Sequence, residues 1–161
     1  MMMMNVKIRN AEEKDIPRII ELLYQVHKVH SDKRPDLFRR GSKKYDEEEL
    51  KEIISDNERP IFVGVNENDK VLGYVFCNFR HFGDKSLEDY DSVYVDDFCV
   101  DEQYRKKGLG TALYDYVVKF AKQRGCHNIT LNVWSPNEDA IIFYSRMGLT
   151  VQKYVMEQIL I

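Results

Sequence analysis

Asp101-Glu-Gln-Tyr-Arg-Lys-Lys-Gly-Leu-Gly-Thr111 stands between a strand-like run, Ser92 to Val100, and the clearest amphipathic helix of the chain. In that helix Leu109, Ala112, Leu113, Tyr116, Val117, Phe120 and Ala121 recur at helical spacing, its start lies near Gly108, and Gly125 is placed to end it. The first N–H groups of a helix lack internal partners and lie at the positive end of its dipole, so this junction favours an anion. Gly108 and Gly110 let the backbone approach closely, and Arg105, Lys106 and Lys107 add positive charge in a chain whose net charge is -3. Together these features suit a diphosphate. A Walker A loop would need Gly-Lys-Ser/Thr, and a dinucleotide fingerprint would need glycine where Leu113 stands; neither condition is met. Taken alone, R-x-x-G-x-G is equally compatible with a basic surface turn.

Working outward, Val6 to Arg9 alternates apolar and polar residues like a half-buried strand. A first helix follows, with Asp15 as expected N-cap, Pro17 in its first turn, and Ile16, Ile19, Ile20, Leu23 and Val26 as its apolar stripe; His27 and His30 are expected beyond it. Ser31 to Lys44, with six bases and two acids, reads as an exposed loop whose Leu37-Phe38 pair could cover an entrance. Asp46 and Glu49 form a capping pair for a second helix that buries Leu50, Ile53 and Ile54. Ile61–Val65 and Val71–Phe79 read as antiparallel strands joined by a hairpin loop at Asn66–Lys70. After the central helix come a strand over Asn128–Trp134 and a helix from Asn137 to Met147 with Gly148 behind it. Strand-forming residues, Leu149 to Ile161, close the chain. Asp96 and Asp97 interrupt the Ser92–Val100 strand, an interruption that needs an explanation.

With 161 residues, 43% of them hydrophobic, the chain suffices for one core and is expected to form one domain over 1–161. The net charge and a pI near 5.8 argue against nucleic acid or an anionic membrane as partner. Cys77, Cys99 and Cys126 are odd in number and lack C-x-x-C spacing, which points to a reducing cytoplasm rather than a disulfide framework or zinc knuckle. His27 and His30 lack further ligands at a recognisable spacing, so no metal is expected. No segment approaches the length of a membrane span.

The order of elements, with Gln103-Tyr-Arg-Lys-Lys-Gly-Leu-Gly110, Asn137 and Phe143-Tyr-Ser-Arg-Met-Gly-Leu149, resembles the GCN5-related N-acetyltransferase (GNAT) superfamily over nearly the whole chain. Val95 to Val100, Trp134 and Phe143 to Arg146 are more weakly similar to its diamine acetyltransferase branch. The resemblance implies an α/β (α+β) fold: a mixed, mostly antiparallel sheet of about six to seven strands flanked by about four helices. It implies acetyl-CoA as co-substrate, with Arg105, Lys106, Lys107, Gly108, Leu109, Gly110 and Thr111 at the pyrophosphate. A bulge in the preceding strand would place Phe98, Cys99 and Val100 against the acetyl group and pantetheine, between strands that splay. Asn137, Glu138, Asp139 and Ala140 would form a second cofactor region, and Tyr144 would stand near the thioester sulfur.

An aliphatic ammonium must lose a proton before it can attack, which directs attention to a carboxylate on the acceptor side. Asp96 is the first expected base and Asp97 the second. Since neighbouring strand residues face opposite ways, at most one of them faces the thioester unless a bulge changes the phase. The expected chemistry is direct attack by the free amine, with a backbone N–H near Cys99 stabilising the oxyanion and Tyr144 assisting the leaving thiolate. Cys99 itself reads as a buried, inert thiol, since no histidine is placed to activate it. Asp96, Asn132 and Trp134 are the expected acceptor contacts. Eight acids between Asp84 and Glu102, against Lys85 alone, favour a cationic acceptor or simply a solvated acidic loop. A small or polyamine-like amine, a protein or peptide amine, and a non-catalytic acyl-CoA-binding module all remain open. Tyr154 to Ile161 is either core or an interface strand, and a homodimer is expected partly by the resemblance.

Overall fold

The computed structural model describes residues 5–161. Five strands, β1 (Lys7–Asn10), β2 (Ile61–Val65), β3 (Val71–Phe82), β4 (Tyr90–Val100) and β5 (Asn128–Leu131), form one sheet in sequence order. The first four pair antiparallel, and β5 lies parallel to β4. Four α-helices accompany them: α1 (Ile16–Lys33), α2 (Glu47–Ile54), α3 (Leu109–Gln123) and α4 (Glu138–Arg146).

Alternation along the strands feeds two cores. On one face Val63, Tyr74, Phe76 and Cys99 pack with Ile19, Leu22, Leu23, Leu50 and Ile53 of α1 and α2. On the other, Phe62, Val75, Val93 and Val95 pack with Leu109, Leu113, Val117 and Ala121 of α3. Burying a large aliphatic side chain is worth about 1.5–3 kcal/mol, so these two stripes fix α1, α2 and α3 on the sheet.

Several expectations are corrected. The sheet has five strands, not six to seven, because residues 150–161 form no regular structure and Val151, Tyr154, Val155 and Met156 are exposed. Strand β5 ends at Leu131, which leaves Asn132 and Trp134 on the connection beyond it. Helix α1 continues through His27 and His30 to Lys33, because nothing in that stretch breaks a helix; half-buried Val26 and buried Ser31 continue its inner face. Asp15 precedes α1 but makes no side-chain cap; its carboxylate instead accepts from Arg9 and from the Glu12 N–H. The Asp46–Glu49 capping box is present in both directions, at 2.9 and 3.2 Å.

Candidate active site

The loop that opens α3 is built around a buried carboxylate. Asp101 accepts from the Arg18 guanidinium and from the Gln103 N–H at 3.1 Å, and Gln25 Oε1 accepts from the Glu102 N–H at 3.2 Å. Arg18 also donates to the Val71 carbonyl at 2.8 Å. Burial alone would raise the Asp101 pKa; the Gln103 N–H and the Arg18 charge outweigh it and hold the carboxyl below its ordinary value. The first turn of the loop is thereby fastened to α1 and β3.

Beyond Tyr104 the backbone turns into α3 through two left-handed residues, Lys106 (φ 62°) and Gly108 (φ 86°). Gly108 is the N-cap and supplies no side chain, and the first bond into the helix is Ala112 N–H to the Gly108 carbonyl at 3.0 Å. The N–H groups of Leu109, Gly110 and Thr111 therefore have no helical acceptor and no side-chain cap. Arg105, Lys106 and Lys107 are exposed beside them. This is a fit for a diphosphate: unpaired donors, the positive end of a helix, and three cations. Gly110 has a second role. A Cβ there would lie 3.2 Å from Phe143 Cε1, so its absence lets α4 rest against the first turn of α3.

Strand β4 carries the rest. Phe76 pairs with Asp97 but Cys77 pairs with Val95, so Asp96 is an extra residue, a bulge. Its carbonyl, left off the ladder, accepts from Lys44 Nζ at 3.0 Å. Below the bulge Val95 packs with α3, whereas above it Phe98 and Val100 return to the α3 side and Cys99 to the α1 side. The phase change puts Asp96 and Asp97 on one face. Asp96 accepts from Tyr45 Oη at 2.5 Å and from Lys44 Nζ at 2.9 Å; Asp97 accepts from Tyr74 Oη at 3.3 Å and from the Phe98 N–H at 2.9 Å.

Pairing with β5 stops at Val95, so β4 from Asp96 to Val100 has a neighbour on one side only. The Asp101 N–H bonds to the Leu72 carbonyl at 2.8 Å, which sets the alternation: Cys99 bonds toward β3, while Phe98 and Val100 turn their backbone groups to the open side. The donor expected near Cys99 is narrowed by this geometry to its two neighbours. Phe98 N–H is already engaged by Asp97, and the Val100 carbonyl accepts from Arg105 Nε at 3.1 Å.

Facing this open edge, the Tyr144 ring lies 6.2 Å from that of Phe98 in a T-shaped arrangement. Burial, then the Asp97 charge, holds the Tyr144 hydroxyl well above the usual phenol pKa. Desolvation pushes Asp97 up to about 6; the Lys44 charge opposes this and the Asp96 charge adds to it. Burial and Asp97 push the Cys99 thiol up to about 12, and its Sγ contacts the Leu22 carbonyl at 3.6 Å. That thiol is no nucleophile at neutral pH.

Around the mouth, Phe38 stacks on His30 at 5.2 Å and meets Trp134 edge-on at 5.5 Å, and Asn132 Nδ2 donates to Tyr94 Oη at 3.1 Å. Asn137 caps α4 by accepting from the Ala140 N–H at 3.4 Å. The acidic run does not converge. Asp84 caps the β3–β4 turn, Asp91 pairs with His81, and Asp101 is spent on Arg18, so of those named only Asp96 and Asp97 reach the site. Asp91 lies five positions from Asp96 along the strand, roughly 16 Å. Tyr45, Lys44 and Tyr74 are site residues that sequence reasoning missed; the Asp46 cap, which puts Tyr45 just before α2, was the available signal. Among the described residues no group of three or more His, Cys, Asp or Glu is placed to hold a metal ion, and no helix is long and apolar enough to cross a membrane.

Comparison with known proteins agrees with this architecture. An N-acetyltransferase of Methanocaldococcus jannaschii, itself uncharacterised, is 28% identical over 92% of this chain, although the chain spans only 62% of that protein's length. The L-ornithine N5-acetyltransferase of Arabidopsis thaliana is 35% identical over 62% of this chain and 43% of its own length. A mutant of the BH1408 protein from Bacillus halodurans superposes with a TM-score of 0.93 at 27% identity, covering 96% of this chain and 99% of that one. The model of the acetyltransferase (GNAT) family matches residues 23–149, and the chain, with its uncapped α3 turn and half-paired β4, belongs to that family.

Proposed function

We propose that the protein transfers the acetyl group of acetyl-CoA to a primary amine by direct attack in a ternary complex, with small or polyamine-like amines as favoured acceptors. The observation that carries this reading is the Asp97 carboxylate beside the unpaired edge of β4, with Tyr144 across from it. Arg105 to Thr111 hold the pyrophosphate, Phe98, Cys99 and Val100 line the acetyl and pantetheine path, and Asn137 and Ala140 form the second cofactor region. Acetyl-CoA supplies the activated acyl group as its thioester.

An alkyl ammonium has a pKa near 10.4, about four units above that of Asp97, so proton removal is uphill and is driven by the attack that follows it. Asp97 takes this proton, and Asp96, held by Tyr45 and Lys44, binds and orients the cation. The order of the two acids is thus the reverse of the one expected from sequence, because the environment of Asp97 suits a base that works near neutral pH. The Val100 N–H, turned to the open side, donates to the developing oxyanion. Tyr144 keeps its proton at neutral pH and gives it to the leaving thiolate. Asn132 and Trp134 stand on the acceptor side.

The relative that acts on L-ornithine supports an alkyl amine acceptor. The three free cysteines suit a reducing cytoplasm. The test is acetyl-CoA with a panel of diamines, polyamines, amino acids, aminoglycosides and peptides, followed by mass spectrometry of each acceptor. Acetylated diamine or polyamine is the expected product. Acetylation of peptides alone would overturn the small-amine preference, and no product on any acceptor would favour a binding module.

A further inference from the structure

The core between the sheet and helices α1 and α2 stops partway along the strands: on β3 it ends at Phe76, against which the Tyr45 ring is stacked at 5.5 Å. The same face continues beyond that point without a helix over it. Phe79 and Val93 pack with α3, so alternation turns Asn78, Arg80 and Tyr94 to the α1 side. This is the face on which the bulge places Asp96 and Asp97, two and three residues on from Tyr94. Asn78 and Tyr94 are half-buried here and Arg80 is exposed.

Arg80 is held in place but not neutralised. Its guanidinium lies 3.8 Å from the centroid of the Tyr94 ring, and Tyr94 Oη in turn accepts from Asn132 Nδ2 at 3.1 Å. The acids nearest it are engaged elsewhere. Glu58 and Asp91, which line one cavity with it, face Arg124 at 3.8 Å and His81 at 2.7 Å, and Asp96 is bound by Tyr45 and Lys44. Among the described residues the Arg80 guanidinium has neither a hydrogen-bond acceptor nor an ion-pair partner; the Tyr94 ring is its contact. Two residues along a strand span about 6–7 Å and neighbouring strands lie about 4.8 Å apart, which sets the guanidinium on the order of 7–10 Å from the Asp96 carboxylate. One face thus carries two carboxylates at the bulge and, a few ångströms along, a stacked cation with its donors unspent.

The geometry points to Arg80 as the residue that selects the acceptor: an amine with a carboxylate a few carbons from its nitrogen, in the manner of a diamino acid, its ammonium at Asp96 and Asp97 and its carboxylate on Arg80. The inference rests on the proposed acetyl transfer and narrows its acceptor. A guanidinium already stacked on a ring loses little freedom when it closes on a carboxylate, and its planar fork matches the two oxygens. A diamine of the same length brings a second ammonium to a cation instead, so the same side chain that attracts one acceptor class disfavours the other.

The test uses pairs of acceptors that differ by the carboxylate alone, lysine against 1,5-diaminopentane and 6-aminohexanoate against pentylamine. With acetyl-CoA saturating, the carboxylate-bearing member of each pair should have a kcat/KM at least about tenfold higher, the difference lying in KM. Arg80→Gln should remove that ratio and Arg80→Glu should invert it, with both variants folded by circular dichroism because the side chain is exposed. Calorimetry of the same pairs on the CoA-loaded protein reads the subsite without turnover. Acetylation of the amines with equal KM and equal binding within each pair, or a carboxylate preference that survives Arg80→Glu, would overturn the subsite and leave the acetyl transfer standing. Binding of lysine that depends on Arg80, with no acetylation of any acceptor, would uphold the subsite and overturn the transfer. Absence of both binding and acetylation would overturn the two together.

Discussion

Replacing Asp97 with Asn separates what this carboxylate does for the reaction from what it costs the fold. Its pKa rises from 3.8 to about 6, so the folded chain binds this proton more tightly than the unfolded chain does. Below pH 4 both states are protonated and the group is neutral in the balance. Between pH 4 and 6 stability falls as the pH rises, and above pH 6 the whole cost is present. Two units at about 1.4 kcal/mol each set a ceiling of roughly 3 kcal/mol, and partial solvent access reduces this to about 1–2 kcal/mol. Asn keeps the contact to the Phe98 N–H through its oxygen, and its amide meets Tyr74 Oη with the bond reversed, donating where the carboxylate accepted. Asp97→Asn should therefore be more stable than the parent by about 1–2 kcal/mol in urea unfolding at pH 8, with the difference vanishing near pH 4. Turnover should move the other way, down about 10²-fold or more, with the acid limb of kcat/KM near pH 6 lost. A variant that is less stable at pH 8, or that turns over normally with the limb intact, would refute both the desolvation reasoning and the base assignment.

Three further outcomes follow from the same geometry. Lys44→Ala removes the charge that lowers the Asp97 pKa, so the acid limb should shift upward by up to about one unit in a pH–rate profile. Tyr144→Phe should lower kcat by about 10–10²-fold while the acetyl-CoA dissociation constant, measured by calorimetry, stays within about twofold. Gly110→Ala puts a methyl 3.2 Å from Phe143; helix propensity returns about 1 kcal/mol of the strain, so the stability loss should be small. Acetyl-CoA binding is the sensitive readout there and should weaken several-fold as α4 is displaced.

Local rules made most of the scaffold legible. The 3.6 period located α3 and its Gly108 start, Asp46 and Glu49 marked α2, and two acids inside a β-branched run asked for an explanation, which the family resemblance supplied as a bulge. Composition failed where partners are remote. Asp84, Asp91, Asp96, Asp97 and Asp101, close in sequence, became a turn cap, two pairings and a site because β4 runs from Tyr90 to Val100, so proximity along the chain became distance along the strand. Tyr45 and Tyr74 reach the two aspartates through loop placement and cross-strand register, neither of which has a local signature. The tail has strand propensity without a ladder in its own chain, and propensity alone cannot name a partner.

The bulge at Asp96 has a consequence for how this site can change. A bulged residue is supernumerary: the β3–β4 ladder closes from Val95 to Asp97 without it, and every side chain above and below already faces the side it would face in a strand one residue shorter. Deleting Asp96 would leave Val95, Phe98, Cys99 and Val100 in their cores, so this residue can be lost at little expense to the sheet. Asp97 holds a ladder position and tolerates replacement but not deletion. Along one strand, then, lie a residue fixed by the ladder and another carried by it as an insertion, and change in the proposed acceptor contact has its easiest path through the second.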